Sequence, residues 1–276
     1  MKPKRTLLAI DTATKTAAAA VLDFDEESVL SEKSAPAETH GKALVPLIQA
    51  TFEEAGVEPR SLVGVGCGAG PGSFTGVRVG LATAKGICLP ANLPLALISS
   101  LDGVACRIQE TGNKPKSAGV ASIRNSCPLL VAPCMDARRG EVFFSLFAAD
   151  TPYKLLSLLD PCAASPAQAI RILSTWVQNT ENLKAHSLDS LSSVKIHIIG
   201  TGLSMLENEI EKNTVNGEGV FVSCQVDPWP SAAAIGIMAL RKIKENRSDD
   251  LAAAQPIYLR PSDAEQKFNV DLSPQK

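Results

Sequence analysis

Thr6-Leu7-Leu8-Ala9-Ile10-Asp11-Thr12-Ala13-Thr14-Lys15-Thr16 is the stretch that decides the fold. An apolar run ends on an acid, a short turn rich in hydroxyls follows, and a second run of small apolar residues occupies 16–22. After the acidic turn Asp23-Phe24-Asp25-Glu26-Glu27, a third run covers 28–34. Three strands joined by tight turns make an antiparallel meander. The period then changes. Over 40–55, Leu44, Leu47, Ile48, Thr51, Phe52 and Ala55 share a helical face, and Gly56 stands where a helix stop belongs. Pro46 requires that helix to be barely under way or kinked there. A strand at 62–67, a long helix at 73–89, a strand at 95–98 and a helix at 101–109 follow. Three meander strands and then alternating helices and strands predict a mixed α/β sheet with helices on its faces.

The second half repeats the style. Residues 111–127, rich in Gly, Lys, Ser and Pro, read as a flexible loop. Strands at 129–135 and 141–147 form a hairpin connected through 136–140. Helices are expected at 167–178, 203–211 and 231–244, strands at 196–199 and 220–224, a polar mobile segment at 179–193 and a turn region at 212–219. The expected organisation is one lobe over 1–105, joined by 228–260 folding back on it, a second lobe over 106–227, and a disordered tail over 261–276.

Composition narrows the function classes. Of 276 residues, 45% are hydrophobic and 20% charged, ordinary for a soluble globular protein, and aromatics at 4% leave the core to aliphatic residues and alanine. A formal charge of −2 carries no basic footprint for independent polyanion binding. Seven cysteines without a C-x-x-C point to reduced thiols in a cytoplasmic protein rather than a disulfide frame or metal knuckle. The basic start Met1-Lys2-Pro3-Lys4-Arg5 meets Asp11 too soon for a secretion signal, and no run is long enough to span a membrane.

Two constellations carry chemistry. Asp11, Thr12 and Thr14 sit in the first turn. In the superfamily of actin, hexokinase and heat-shock nucleotide-binding folds such a turn lies against phosphates and the Asp helps hold a metal, but Gly generally follows the Asp there and Thr12 stands here. The three residues are candidates for holding a cofactor, or they merely cap the hairpin. The second constellation is Gly64 to Gly80. Its G-x-G-x-x-A lies inside a strand, and no Gly-Lys-Ser/Thr closes a P-loop, so dinucleotide and P-loop readings are excluded. Gly70-Pro71-Gly72 feeds a helix N-terminus with Ser73 as N-cap, whose amides either cradle an anion or are simply capped. Gly76, Gly80 and Ala84 repeat every four residues as a bare face. Each glycine costs ~0.8–1 kcal/mol against alanine in a helix, so something must approach that face closely, either the chain's own sheet or a partner helix.

With Ile10-Asp11-Thr12-Ala13-Thr14, His40 followed by Leu44-Val45-Pro46-Leu47-Ile48, Gly70-Pro71-Gly72-Ser73-Phe74-Thr75-Gly76-Val77-Arg78-Val79-Gly80, Met135-Asp136-Ala137-Arg138-Arg139-Gly140-Glu141-Val142 and Pro256-Ile257-Tyr258-Leu259-Arg260, the chain resembles the TsaB (YeaZ-type) family, once called glycoprotease-like. The resemblance implies the two-lobe actin-like ATPase fold. It also implies a non-catalytic partner subunit for N6-threonylcarbamoyladenosine synthesis on tRNA, pairing with the catalytic TsaD subunit, with the TsaE ATPase in a larger complex, a homodimer as a further state, and tRNA contacted only indirectly. The catalytic relative binds a metal through two histidines one helical turn apart. Here Leu44 follows His40 by four residues, and His186 and His197 are far off in sequence, so no metal centre and no cofactor are expected. His40 either caps its helix or meets a partner. Arg138 and Arg139 form an anion site or an exposed hairpin tip. The expected partner-facing residues are His40, Leu44, Leu47, Ile48, Ser73, Gly76, Val77, Gly80 and Ala84. An autonomous ATP-dependent transferase or metallopeptidase of the same superfamily is the alternative.

Overall fold

A computed structural model describes residues 4–37, 40–110, 129–151, 153–186, 195–213 and 220–260. The loop expected at 111–127 and the tail at 261–276 lie outside the described residues, as do parts of the polar segment expected at 179–193 and of the turn region at 212–219.

The first sheet is built as the meander predicts. Strands β1 (Thr6–Asp11), β2 (Thr16–Asp23) and β3 (Ser28–Pro36) are antiparallel neighbours, with Thr6 opposite Asp23 and Asp11 opposite Ala18. β4 (Leu62–Gly68) and β5 (Leu95–Ile98) add in parallel on the other side of β1, giving the order β3-β2-β1-β4-β5. Every residue of β1 and β2 is buried, because helices cover both faces; this is why β1 reads as a continuous apolar run rather than an alternating one. On the outer face lie α1 (His40–Ala55) and α2 (Phe74–Ala91), whose Leu44, Leu47, Phe52, Leu81 and Ala84 pack on Leu8, Ile10 and Val65. On the inner face lies α7 (Ala232–Lys244), where Ala232, Ala233, Ile235 and Ala239 meet Ala9, Ala18, Ala20 and Leu22. Alanine against alanine brings that helix close to the sheet, which is where this aromatic-poor core places its small residues.

The second sheet has the same plan. β6 (Leu129–Arg138), β7 (Glu141–Thr151) and β8 (Lys154–Ala164) form a meander, and β9 (Ile196–Ile199) and β10 (Phe221–Ser223) add in parallel beside β6, in the order β10-β9-β6-β7-β8. Strand for strand this repeats the first sheet. α4 (Pro166–Gln178) and α6 (Leu203–Lys212) cover its outer face, and α3 (Ser100–Glu110) its inner face. α3 packs against α7, so the layers run α1/α2, first sheet, α7, α3, second sheet, α4/α6. Two sheets of matching strand order, each with helices on both faces, make this an α/β architecture. The boundary expected at 105/106 falls inside α3, which packs on the second sheet.

Two elements differ from the sequence expectation. β8 was not anticipated, because Lys154-Leu155-Leu156-Ser157-Leu158-Leu159-Asp160-Pro161 has no clean alternation and its pairing with β7 is broken by three register shifts. Short α5 (Thr180–Ala185) begins inside the segment expected to be mobile, started by Asn179, whose side chain accepts the Glu181 N–H.

Candidate partner interface

The turn after β1 is tied into its surroundings. Asp11 is 1% exposed. Its Oδ1 accepts the Ala13 N–H at 2.9 Å, and its Oδ2 accepts the Ser100 hydroxyl at 2.5 Å. Ser100 Oγ in turn accepts the Gly70 N–H at 3.2 Å, and the Ser100 N–H donates to Gly70 O at 2.7 Å. Thr14 exchanges hydrogen bonds with the backbone of Thr16 at 3.2 Å, and Thr12 Oγ1 donates to Gly76 O at 2.7 Å. The cofactor candidates Asp11, Thr12 and Thr14 therefore spend polar atoms on their own chain. To ligate a phosphate or metal, Asp11 would have to give up donors that satisfy a buried carboxylate.

The same turn explains the bare face of α2. A Cβ on Gly76 would lie 2.1 Å from Thr12 O, and one on Gly80 2.3 Å from Thr12 Oγ1. The close neighbour inferred from the glycine spacing is the chain's own first turn, not a partner helix. Ser73 caps the helix by accepting the Gly76 N–H at 3.2 Å. Val77 and Ala84 are buried in the apolar core. On α1, Leu44 and Leu47 are buried against the first sheet and Ile48 is half-buried on it. The His40 side chain lies outside the described residues. Of the residues expected to face a partner, Leu44, Leu47, Val77 and Ala84 are thus buried in the chain's own core, Ile48 is half-buried, Gly76 and Gly80 abut the first turn, and Ser73 caps α2. A periodic apolar stripe is the part of a helix that its own sheet claims.

What these helices leave uncovered is the opposite face. Val45 is 58% exposed and Leu89 64% exposed, and Pro46 on α1 and Ala82 and Gly86 on α2 are exposed as well. At the start of α2, Phe74 and Arg78 stand with Tyr258: the Arg78 guanidinium carbon lies 3.7 Å from the Phe74 ring centroid, and Arg78 Nε donates to Tyr258 Oη at 2.7 Å.

The remaining candidates are smaller. Arg139 and Gly140 form the two-residue turn between β6 and β7 at φ 56° and 77°, the left-handed pair a tight hairpin requires, with Arg138 exposed beside it. The basic C-terminal end of α7 is paired with carboxylates: Lys242 with Asp249 at 2.7 Å, Lys244 with Glu27 at 2.8 Å, and Arg247 with Glu245. His197 Nδ1 lies 3.3 Å from Cys224 Sγ in the second sheet, where burial lowers the imidazole pKa and raises the thiol to about 11. Among the described residues no three His, Cys, Asp or Glu side chains are grouped to hold a metal. Leu44, four residues after His40, is turned into the core.

Residues 29–268 match the family model described as TsaD: tRNA N6-adenosine threonylcarbamoyltransferase. The chain belongs to that family. Within it, the resemblance runs to TsaB over nearly the whole length. The tRNA threonylcarbamoyladenosine biosynthesis protein TsaB of Bacillus subtilis is 28% identical over 265 residues, 95% of this chain and 97% of that protein. The protein of the same name from Haemophilus influenzae is 27% identical over 262 residues, 92% and 93% of the two chains. The structure of YeaZ from Pseudomonas aeruginosa superposes with a TM-score of 0.65 at 20% identity, covering 92% of this chain and all of the other, and shows the same fold.

Sequence reasoning missed Ser100, 89 residues from the carboxylate it serves, and the Phe74, Arg78 and Tyr258 group, assembled from segments 180 residues apart. Val45 and Leu89 carried a usable signal: both are apolar and both fall off the buried stripe.

Proposed function

We propose that this chain is the non-catalytic partner subunit in threonylcarbamoyladenosine formation on tRNA, pairing with the catalytic TsaD protein through the outer face of α1 and α2. The observation that carries this is the helix pair itself. Its periodic stripe is used up by the first sheet, while its outer face keeps Val45 and Leu89 in water, the arrangement of a surface built to be covered. The non-catalytic reading is supported by Leu44, buried in the core four residues after His40, and by Asp11, whose carboxylate is bonded within the chain. The TsaE ATPase joins the pair in the larger complex, and a second copy of this chain occupies the face when TsaD is absent. The pairing of α7's basic residues with carboxylates fits an indirect relation to tRNA. No helix among the described residues is long and apolar enough to cross a membrane, and the complex works in the cytoplasm. For the lobes, we place residues 4–99 with 228–260 in the first and 100–227 in the second, because α3 packs on the second sheet.

The test is Val45→Asp with Leu89→Glu, both on exposed positions that leave the core untouched. Burying either charge in an apolar interface should weaken pairing with TsaD at least tenfold, about 1.4 kcal/mol or more, with an unchanged melting curve. Threonylcarbamoyladenosine in hydrolysed cellular tRNA, measured by mass spectrometry, should fall with it. Normal pairing by the double variant, or ATP turnover by the chain alone, overturns the reading.

A further inference from the structure

After α7 the chain returns along the first sheet, where Asp249 bridges to Leu95 of β5, and then crosses to the second. Residues 256–260 make that crossing with contacts on both sides. The Ile257 N–H donates to Ala69 O at 2.7 Å, just beyond β4. Tyr258 Oη accepts from Arg78 Nε, and its ring lies 5.2 Å from that of Phe74, so this residue is fixed to the first turn of α2. Leu259 packs on the apolar cluster of Val131, Met135 and Phe143 between α3 and the second sheet. Arg260 Nη1 lies 3.0 Å from Glu141 Oε2 at the start of β7, with its guanidinium carbon 5.9 Å from the Phe143 ring centroid. Within four residues the chain thus passes from β4 and α2 of one half to β7 of the other. The halves also meet where α3 packs on α7, where Ser100 bonds Asp11 and Gly70, where Arg107 lies 3.5 Å from Glu32, and where Arg241 Nη1 donates to Tyr153 O at 3.1 Å.

None of residues 256–260 is fully buried. A half-exposed ion pair and a half-exposed aromatic contact hold weakly, and segments with few buried contacts open at low cost. A connection that touches both halves and is held weakly is suited to set their angle and to let go. We infer that Pro256–Arg260 is a clasp that fixes the angle between the two lobes and couples it to the N-terminal end of α2. The clasp itself is independent of the proposed function; its coupling to pairing rests on that reading.

The test uses the full chain with spin labels at Gln49→Cys in α1 and Asn208→Cys in α6, on opposite outer layers. Pulsed electron resonance should give one narrow distance distribution. Arg260→Glu, which sets like charges against Glu141, and separately Tyr258→Ala should each broaden it at least twofold. Glu141→Arg added to Arg260→Glu should narrow it again, a rescue that general destabilisation would not produce. Unlabelled Arg260→Glu should then pair with TsaD three- to tenfold more weakly, although residue 260 is not on the outer face of α1 or α2. A distribution unmoved by both single variants overturns the clasp. Broadening with normal pairing overturns the coupling. Failure of the unaltered chain to pair at all, with the distance changes present, sinks the proposed function and leaves the clasp standing.

Discussion

Gly80→Ala is the substitution that separates an internal role for the small-residue face from an external one. In an isolated helix the change gains about 0.8–1 kcal/mol. In this structure the new Cβ would meet Thr12 Oγ1 at 2.3 Å, and that oxygen is anchored to Gly76 O at 2.7 Å. Relief comes by turning Thr12 away, which forfeits a buried hydrogen bond of about 1 kcal/mol, or by moving the helix, with an overpacking cost of ~1–3 kcal/mol. Set against the helix gain, the net runs from about zero to a destabilisation of about 2 kcal/mol, read as a fall of up to roughly 8 °C in melting temperature for a chain of this size. Thr12→Ala supplies the control. With Oγ1 gone, the nearest atom of residue 12 to the new Cβ is its own Cβ at 3.6 Å, an ordinary contact. In that background Gly80→Ala should be neutral or stabilising, so urea titration of the four proteins should show a coupling energy of about 2 kcal/mol. A stabilised Gly80→Ala single variant, or strict additivity with Thr12→Ala, refutes the contact. If the stabilised variant also fails to pair with TsaD, the face belongs to the partner after all.

Other perturbations test the layer between the lobes. Arg107 on α3 lies 2.7 Å from Glu110, 3.5 Å from Glu32 and 3.8 Å from Asp227; burial opposes its charge, but those three carboxylates outweigh it and raise its pKa. Arg107→Leu leaves half-buried carboxylates unpaired and should cost about 3–5 kcal/mol in urea titrations. The loss should be smaller at pH 5 than at pH 8, because burial already raises the Glu110 pKa and protonation removes the stranded charge. Asp102 on the same helix is pushed up by burial to about 7 from an ordinary 3.8. Between those values the folded chain holds a proton that the unfolded chain has released, so this group makes stability fall as pH rises from about 4 to 7 and level off above, by at most on the order of 4 kcal/mol. Asp102→Asn should remove that slope from the pH dependence of the urea midpoint; an unchanged difference between pH 4.5 and pH 7.5 contradicts it.

Most of the fold was legible because its signals are local. The meander is announced by three apolar runs separated by short turns, and α1 runs from His40 to Ala55 as its periodicity requires. The capping signal worked equally well: Ser73 accepts the N–H three residues on. β8 failed because Pro161 and three register shifts erase the period-two pattern. The outward faces of α1 and α2 were harder to read for a more general reason. Periodicity finds the residues that bury themselves, and in α1 and α2 these are Leu44, Leu47, Val77 and Ala84, all claimed by the chain's own core. Apolar residues off that stripe have no period of their own to announce them, and Val45 and Leu89 stand out only as departures from it that the structure leaves exposed.

Local propensity and the order of elements sufficed to say that two α/β lobes follow one another and that α2 carries a face something must approach closely. Identifying the neighbour was beyond them. Whether Thr12 or a foreign helix fills the space beside Gly80, whether Asp11 meets Ser100 or a phosphate, and whether Arg260 reaches Glu141 are questions of distance between residues 68, 89 and 119 positions apart. Hydrogen bonds and steric contacts act over a few ångströms, so those assignments exist only once the packing of sheets and helices has brought the groups together.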